Sequence, residues 1–137
     1  MSFELREHTA DVAVAARGGT LGEAFASVAD GFAAAMCDEI PDAGGERSGV
    51  AVNAEGRESL LFDYLDELIY RRDVESVLPV DHEATVERVD GEWRLTGSFR
   101  GVPLADVVAR DVKAVTYSEM RVEREGEEWT AYVVLDV

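Results

Sequence analysis

The chain has 137 residues, 47% of them hydrophobic, with 29 acidic against 13 basic residues and a formal net charge of −16. That length suits one ordinary domain, the regular apolar content argues against disorder, and the scarcity of Lys/Arg clusters argues against a broad nucleic-acid-binding face. One cysteine, Cys37, leaves no disulfide and no thiolate metal pair; with no apolar run near the roughly 20 residues of a membrane helix and no secretory leader in Met1 to Glu7, the expected address is the cytoplasm.

Residues 3–7 and 11–17 read as strand, interrupted by the polar segment His8-Thr9-Ala10-Asp11, and Gly18-Gly19 ends the second run. Thr20 and Glu23 form a capping box, in which the hydroxyl bonds the Glu23 amide and the carboxylate returns to the N-cap. Leu21, Ala24, Phe25, Val28, Ala29, Phe32, Ala33 and Met36 then recur at the spacing of an amphipathic helix over about 21–37. Gly31 is a weak point inside it, worth about 1 kcal/mol against Ala. A turn-rich loop over 41–48 leads to a strand at 49–54. A second helix over 58–72 carries Leu60, Leu61, Tyr64, Leu65, Leu68 and Ile69 on its inner side and Asp63, Asp66 and Glu67 on the other.

The last third is β-rich. Asp90-Gly91 is a hairpin turn between strand-like runs, and Gly126 plays the same part between 120–125 and 128–137. Trp93, Leu95 and Phe99 alternate in one strand, and Trp129, Ala131, Val133 and Leu135 in the last. The stretch 103–111 reads either as a short helix or as an irregular crossover. The expected architecture is α+β, a single two-layer domain over 1–137 with both helices packed on one face of a mixed sheet.

The acidic excess has two readings. It is either a surface for a basic partner or an adaptation to a cytosol of molar salt, where the Debye length shrinks to roughly 3 Å and self-repulsion is screened. The carboxylates are spread along the whole chain, which favours the salt-adapted, halophilic reading.

Three segments hold residues that could carry chemistry. The His8 and Asp11 of the first either ligate a metal or cap a turn, and Asp and Thr are common in turns because their side chains bond nearby amides. The second is Asp136-Val137, where carboxylate oxygens gather at the end of an apolar strand; such donors suit Ca²⁺, Mg²⁺ or Mn²⁺ and not a structural zinc site. The third runs from Lys113 to Glu119. Lys113 is the only lysine in a chain whose other basic residues are all arginine, and an ammonium and a guanidinium are not interchangeable at a tight anion site; a strand that kept one lysine by chance is the other reading. There is no Ser-His-Asp pattern, P-loop or nucleophile elbow in the sequence to make a hydrolase.

Five blocks, HTADVAV (8–14), TLGEAF (20–25), LLFDYLDELIY (60–70), VKAVTYSEM (112–120) and WTAYVVLDV (129–137), resemble the archease family in order and spacing over nearly the whole chain. The resemblance implies an α+β domain that is not itself an enzyme but assists the 3′-phosphate tRNA-splicing ligase, promoting its guanylylation and turnover in exon joining. It implies a divalent cation, with Ca²⁺ first and Mg²⁺ or Mn²⁺ as alternatives, held by Asp11, Asp136 and a main-chain or terminal oxygen of Val137. His8, Lys113 and Glu119 fall in matching blocks and are pocket candidates. An alternative role for such proteins is that of a chaperone-like modulator of an RNA methyltransferase. The family carries a histidine after Thr-Tyr where this chain has Ser118, so no role of that histidine transfers here, and the segment between Phe99 and Val112 is shorter than the family's usual one.

Overall fold

The computed structural model describes residues 2–8 and 11–137, with the backbone alone for residues 6–8. Within them the chain forms β1 (Ser2–His8), β2 (Asp11–Gly18), α1 (Leu21–Met36), β3 (Glu46–Ala54), α2 (Arg57–Glu75), β4 (Val77–Val89), β5 (Glu92–Pro103), a 3₁₀ turn (Leu104–Asp106), β6 (Ala114–Glu125) and β7 (Glu128–Asp136).

Local chemistry sets most boundaries. Thr20 Oγ1 accepts the Glu23 amide at 3.1 Å, while the Glu23 carboxylate accepts from Gly19 N at 3.0 Å, one residue earlier than the capping box predicts. α2 stops at Ser76, whose φ of 55° is left-handed. Asp90 and Gly91, with φ of 52° and 83°, form the tight turn between β4 and β5 whose backbone twist matches that of its flanking strands.

The α+β class is as the sequence predicts, but the strands divide into two antiparallel sheets where one mixed sheet was expected: β1-β2-β7-β6 and β3-β5-β4. The division comes from the crossover after β5. Arg110 donates to the Ala35 and Met36 carbonyls at the end of α1, through its side chain at 2.8 Å and its amide at 2.7 Å. The buried Arg72 donates to the Val112 carbonyl at 2.9 Å. These bonds carry the chain off the second sheet and deliver residue 114 to the edge of the first, so the stretch read as ambiguous is an irregular crossover opened by one 3₁₀ turn.

α1 packs against β1, β2 and β7 of the first sheet and against β4 of the second; α2 bridges the two as well, against β6 and against β3, β4 and β5. Because α1 is wedged between sheets, it is buried on more than the one predicted face. Gly22, Ala26, Ser27, Gly31 and Ala35 are buried too, and small residues let both sheets close in, Gly22 against β4 and Gly31 against Val14 and Phe3 of the first sheet. Phe25, Phe32, Leu65, Phe99 and Leu135 fill the shared core.

A polar centre interrupts this core. His82 is buried, its ring Nδ1 is 2.8 Å from Asp30 Oδ1, and its amide donates to the same oxygen at 3.1 Å. Tyr64 is buried nearby, and its hydroxyl meets no hydrogen-bond partner among the described groups. Burial, helped by the Asp30 carboxylate, pushes the Tyr64 phenol far above its ordinary range. A raised folded value means a contribution to stability that is full below the ordinary phenol range and lost as pH rises toward the folded value. Tyr64→Phe is therefore expected to stabilise the protein by about 1 kcal/mol at neutral pH, because an unpaired buried hydroxyl is removed. It should also flatten the loss of stability between neutral pH and pH of about 11, as measured by urea unfolding at both.

Candidate metal centre

On β2 the residues Val12, Val14 and Ala16 pack into the core, while Ala13 and Ala15 join a small cluster on the opposite face of the sheet. On β7 Ala131, Val133 and Leu135 face the core, and Tyr132 and Val134 belong to the outer cluster. Strand alternation then puts Asp11 and Asp136 on that outer face as well. The register pairs them directly, Asp11 opposite Asp136 on adjacent antiparallel strands. Residues so paired have Cβ atoms about 4.5–5.5 Å apart. Two segments from opposite ends of the sequence thus bring their carboxylates to one place, and both are half-buried.

The surrounding backbone is tightly held. β7 is flanked on its other side by β6, with Ala114 opposite Asp136, and the Lys113 amide donates to the Asp136 carbonyl at 2.8 Å. Lys113 is therefore fixed at the rim of the pair, with its side chain exposed. Val137 follows directly after β7 and is 38% exposed. His8 stands opposite Asp11 in the β1–β2 register. The side chain of His8, together with Thr9 and Ala10, lies outside the described residues, and with them the turn chemistry read for this segment.

Glu119 is not drawn into the same row. The β6–β7 register slips between Thr116–Val134 and Arg121–Tyr132, so residues 117–120 bulge out of the strand. Glu119 sits in that bulge at a φ of 61°, exposed, beside the equally exposed Ser118.

Like charges directly opposite on neighbouring strands destabilise a sheet, and neither Asp11 nor Asp136 has a cationic side-chain partner among the described residues. The donor set is two hard carboxylates next to main-chain oxygens at an open sheet end, which fits a hard divalent cation that keeps several waters. Among the described residues no three His, Cys, Asp or Glu side chains gather into a closed cage, so this chain by itself would supply only part of a coordination shell. No helix among the described residues is long and apolar enough to cross a membrane. The buried His82–Asp30 pair carries little signal in the sequence, where His82 stands two residues after the apolar run of 77–80 and between two acidic residues.

Comparison with known proteins covers the chain from end to end. The profile of the "Archease protein family (MTH1598/TM1083)" matches residues 3–137. Protein archease of Pyrococcus furiosus is 33% identical over 139 aligned positions, covering 98% of both chains, and that of Archaeoglobus fulgidus is 35% identical with 100% of both covered. The solution structure of Methanobacterium thermoautotrophicum protein 1598 superposes with a TM-score of 0.86 at 32% identity, over 98% of each chain. A Thermotoga maritima crystal structure described as an archease and possible chaperone shares the fold, with a TM-score of 0.59 at 22% identity, over 96% of this chain and 94% of that one.

Proposed function

Since the chain belongs to the archease family, we propose that it is an accessory protein of the tRNA-splicing RNA ligase that presents a divalent cation, Ca²⁺ first, on the Asp11/Asp136 pair. The observation that carries this reading is the direct cross-strand pairing of the two aspartates, a like-charge contact with no cationic side chain among the described residues to relieve it. Asp11 and Asp136 would hold the cation, and an oxygen of Val137 completes what this chain offers. A cation so held supplies charge neutralisation and Lewis acidity to phosphoryl oxygens, the assistance that nucleotidyl transfer needs. The chain's own residues do the positioning. β2 and β7 fix the two carboxylates through the sheet ladder, and the Lys113 amide fixes the Asp136 main chain.

The test is guanylylation and RNA joining by the cognate ligase at high salt, with the wild type, Asp11→Ala and Asp136→Ala side by side. Loss of stimulation by at least about tenfold in both folded variants, equivalent to about 1.4 kcal/mol of barrier, is the expected result; full stimulation by either would discard the metal mechanism. The second reading is a chaperone-like modulator, of an RNA methyltransferase for example. It is favoured by the description of the Thermotoga maritima relative as a possible chaperone, and it predicts aggregation suppression that survives both substitutions.

A further inference from the structure

Away from the aspartate pair, the solvent face of α2 meets the β6 bulge. Tyr117, the first bulged residue, stacks on Phe62 of α2 with ring centroids 4.2 Å apart and planes within 3°. One face of its ring is thus covered, yet the residue remains 54% exposed. Two helical turns and more along α2 from Phe62, a rise of about 12 Å, Tyr70 is 58% exposed and forms, with Val52, Asp63, Asp66 and Glu67, a groove of about 370 Å³. Burial, and second to it the charge of Asp63, raises the Tyr117 phenol, which puts that carboxylate within electrostatic reach of the ring. Asp63 and Asp66 meet no cationic side chain among the described residues.

The rest of the molecule shows what such rings accept. Trp93, Phe99, Trp129 and Tyr132 each lie under a guanidinium of the chain itself, with Arg88, Arg71, Arg57 and Arg121 at 5.4, 5.0, 5.1 and 4.5 Å from the ring centroids. Tyr70 and Tyr117 carry no such arginine among the described residues, although Asp63 and Asp66 line the groove with Tyr70, and Asp63 follows directly on Phe62, the residue that Tyr117 stacks against. A guanidinium can stack on an aromatic face and fork onto a carboxylate at once, which an ammonium cannot do as well.

We propose that Tyr70, Tyr117 and the flanking Asp63 and Asp66 form a docking surface for an arginine-bearing segment of a protein partner. The surface is separate from the aspartate pair and does not require that a metal bind there. Charge complementarity selects the partner's sign, and the open aromatic faces select arginine over lysine.

The test is a heteronuclear NMR titration of the full chain in about 1 M salt, where purely long-range attraction is screened to roughly 3 Å. The probes are a short synthetic peptide with spaced arginines, the same peptide with lysines, and the same peptide with citrullines, which keep the planar group without its charge. The expected result is chemical-shift changes centred on Phe62, Tyr70 and Tyr117, with the arginine peptide bound about tenfold tighter than either control. Tyr117→Ala and Tyr70→Ala should each weaken it by about tenfold. Tyr70 lies on α2 outside the bulge, so its variant carries the test if the Tyr117 variant disturbs β6. Equal response to arginine and lysine, shifts spread over the acidic surface, no response, or binding that survives Tyr70→Ala would each overturn the proposal. So would an oligoribonucleotide that shifts the same residues more strongly than the arginine peptide.

Discussion

Calcium supplied at a hundred times its dissociation constant is expected to raise the unfolding free energy by about 2.7 kcal/mol, because a ligand that binds only the folded state stabilises by mass action. Most of that gain should vanish in Asp11→Asn and in Asp136→Asn. The two carboxylates sit opposite each other across β2 and β7, so in chelator each substitution removes a like-charge pairing and should leave the protein as stable as the wild type or slightly more so. Lost calcium response with retained stability separates a binding defect from a folding defect. Urea unfolding with calcium and with chelator, alongside calorimetric titration, checks both halves; an undiminished calcium gain in either variant would move the cation elsewhere.

Gly22→Ala is expected to lower stability by about 2 kcal/mol, and Gly22→Val by more. Helix propensity argues weakly the other way, since Ala is favoured over Gly by about 1 kcal/mol in a helix interior and by less at Gly22, the second residue of α1. But a Cβ on Gly22 would stand 2.4 Å from the Ala84 carbonyl oxygen and 3.0 Å from its carbon, both backbone atoms of β4. Backbone in a paired strand cannot turn aside as a side chain can, so α1 must lift from the second sheet, and overpacking of this kind costs about 1–3 kcal/mol or more. Chemical denaturation of the two variants beside the wild type reads the effect. A neutral or stabilised Gly22→Ala would mean that α1 and β4 are less closely apposed than described.

Gly31 makes the same point about what a sequence can tell. Read in isolation it is a defect in a helix. In the fold a Cβ there would come within 2.5 Å of Val14 Cγ1 and 3.1 Å of the Phe3 ring, so the missing side chain is what lets the first sheet approach. Periodicity disclosed which residues of α1 face a core but not that there are two walls, because glycines such as Gly22 and Gly31, which admit one sheet each, carry no hydrophobic signal. The hairpin at Asp90-Gly91 was legible because its left-handed φ values demand those residue types. The separation into two sheets was not, because it depends on Arg72 and Arg110 bonding distant carbonyls.

The candidate site divides in the same way. Asp11 and Asp136 could be named from their blocks, but their mutual opposition is a property of strand register between remote segments, which no local pattern encodes. Glu119 shows the converse. Uninterrupted alternation from Lys113 would carry it onto the face of Val115 and Tyr117, yet the bulge and its φ of 61° remove it from the ladder.

The β2–β7 ladder also bears on how the protein is born. The second sheet and its helix α2 come from a continuous central stretch of the sequence, so they can assemble while synthesis proceeds at about 5–20 residues per second. The first sheet cannot, because β2 must wait for its partner β7 at residues 128–136, and closing so long a loop carries an entropic cost that delays it further. Until then the core-facing side of the β1–β2 hairpin has only α1 to cover it. Asp11 and Asp136 meet at the far end of this late-closing ladder, so the pairing of the two carboxylates is itself a late marker of maturation, absent until β7 has docked.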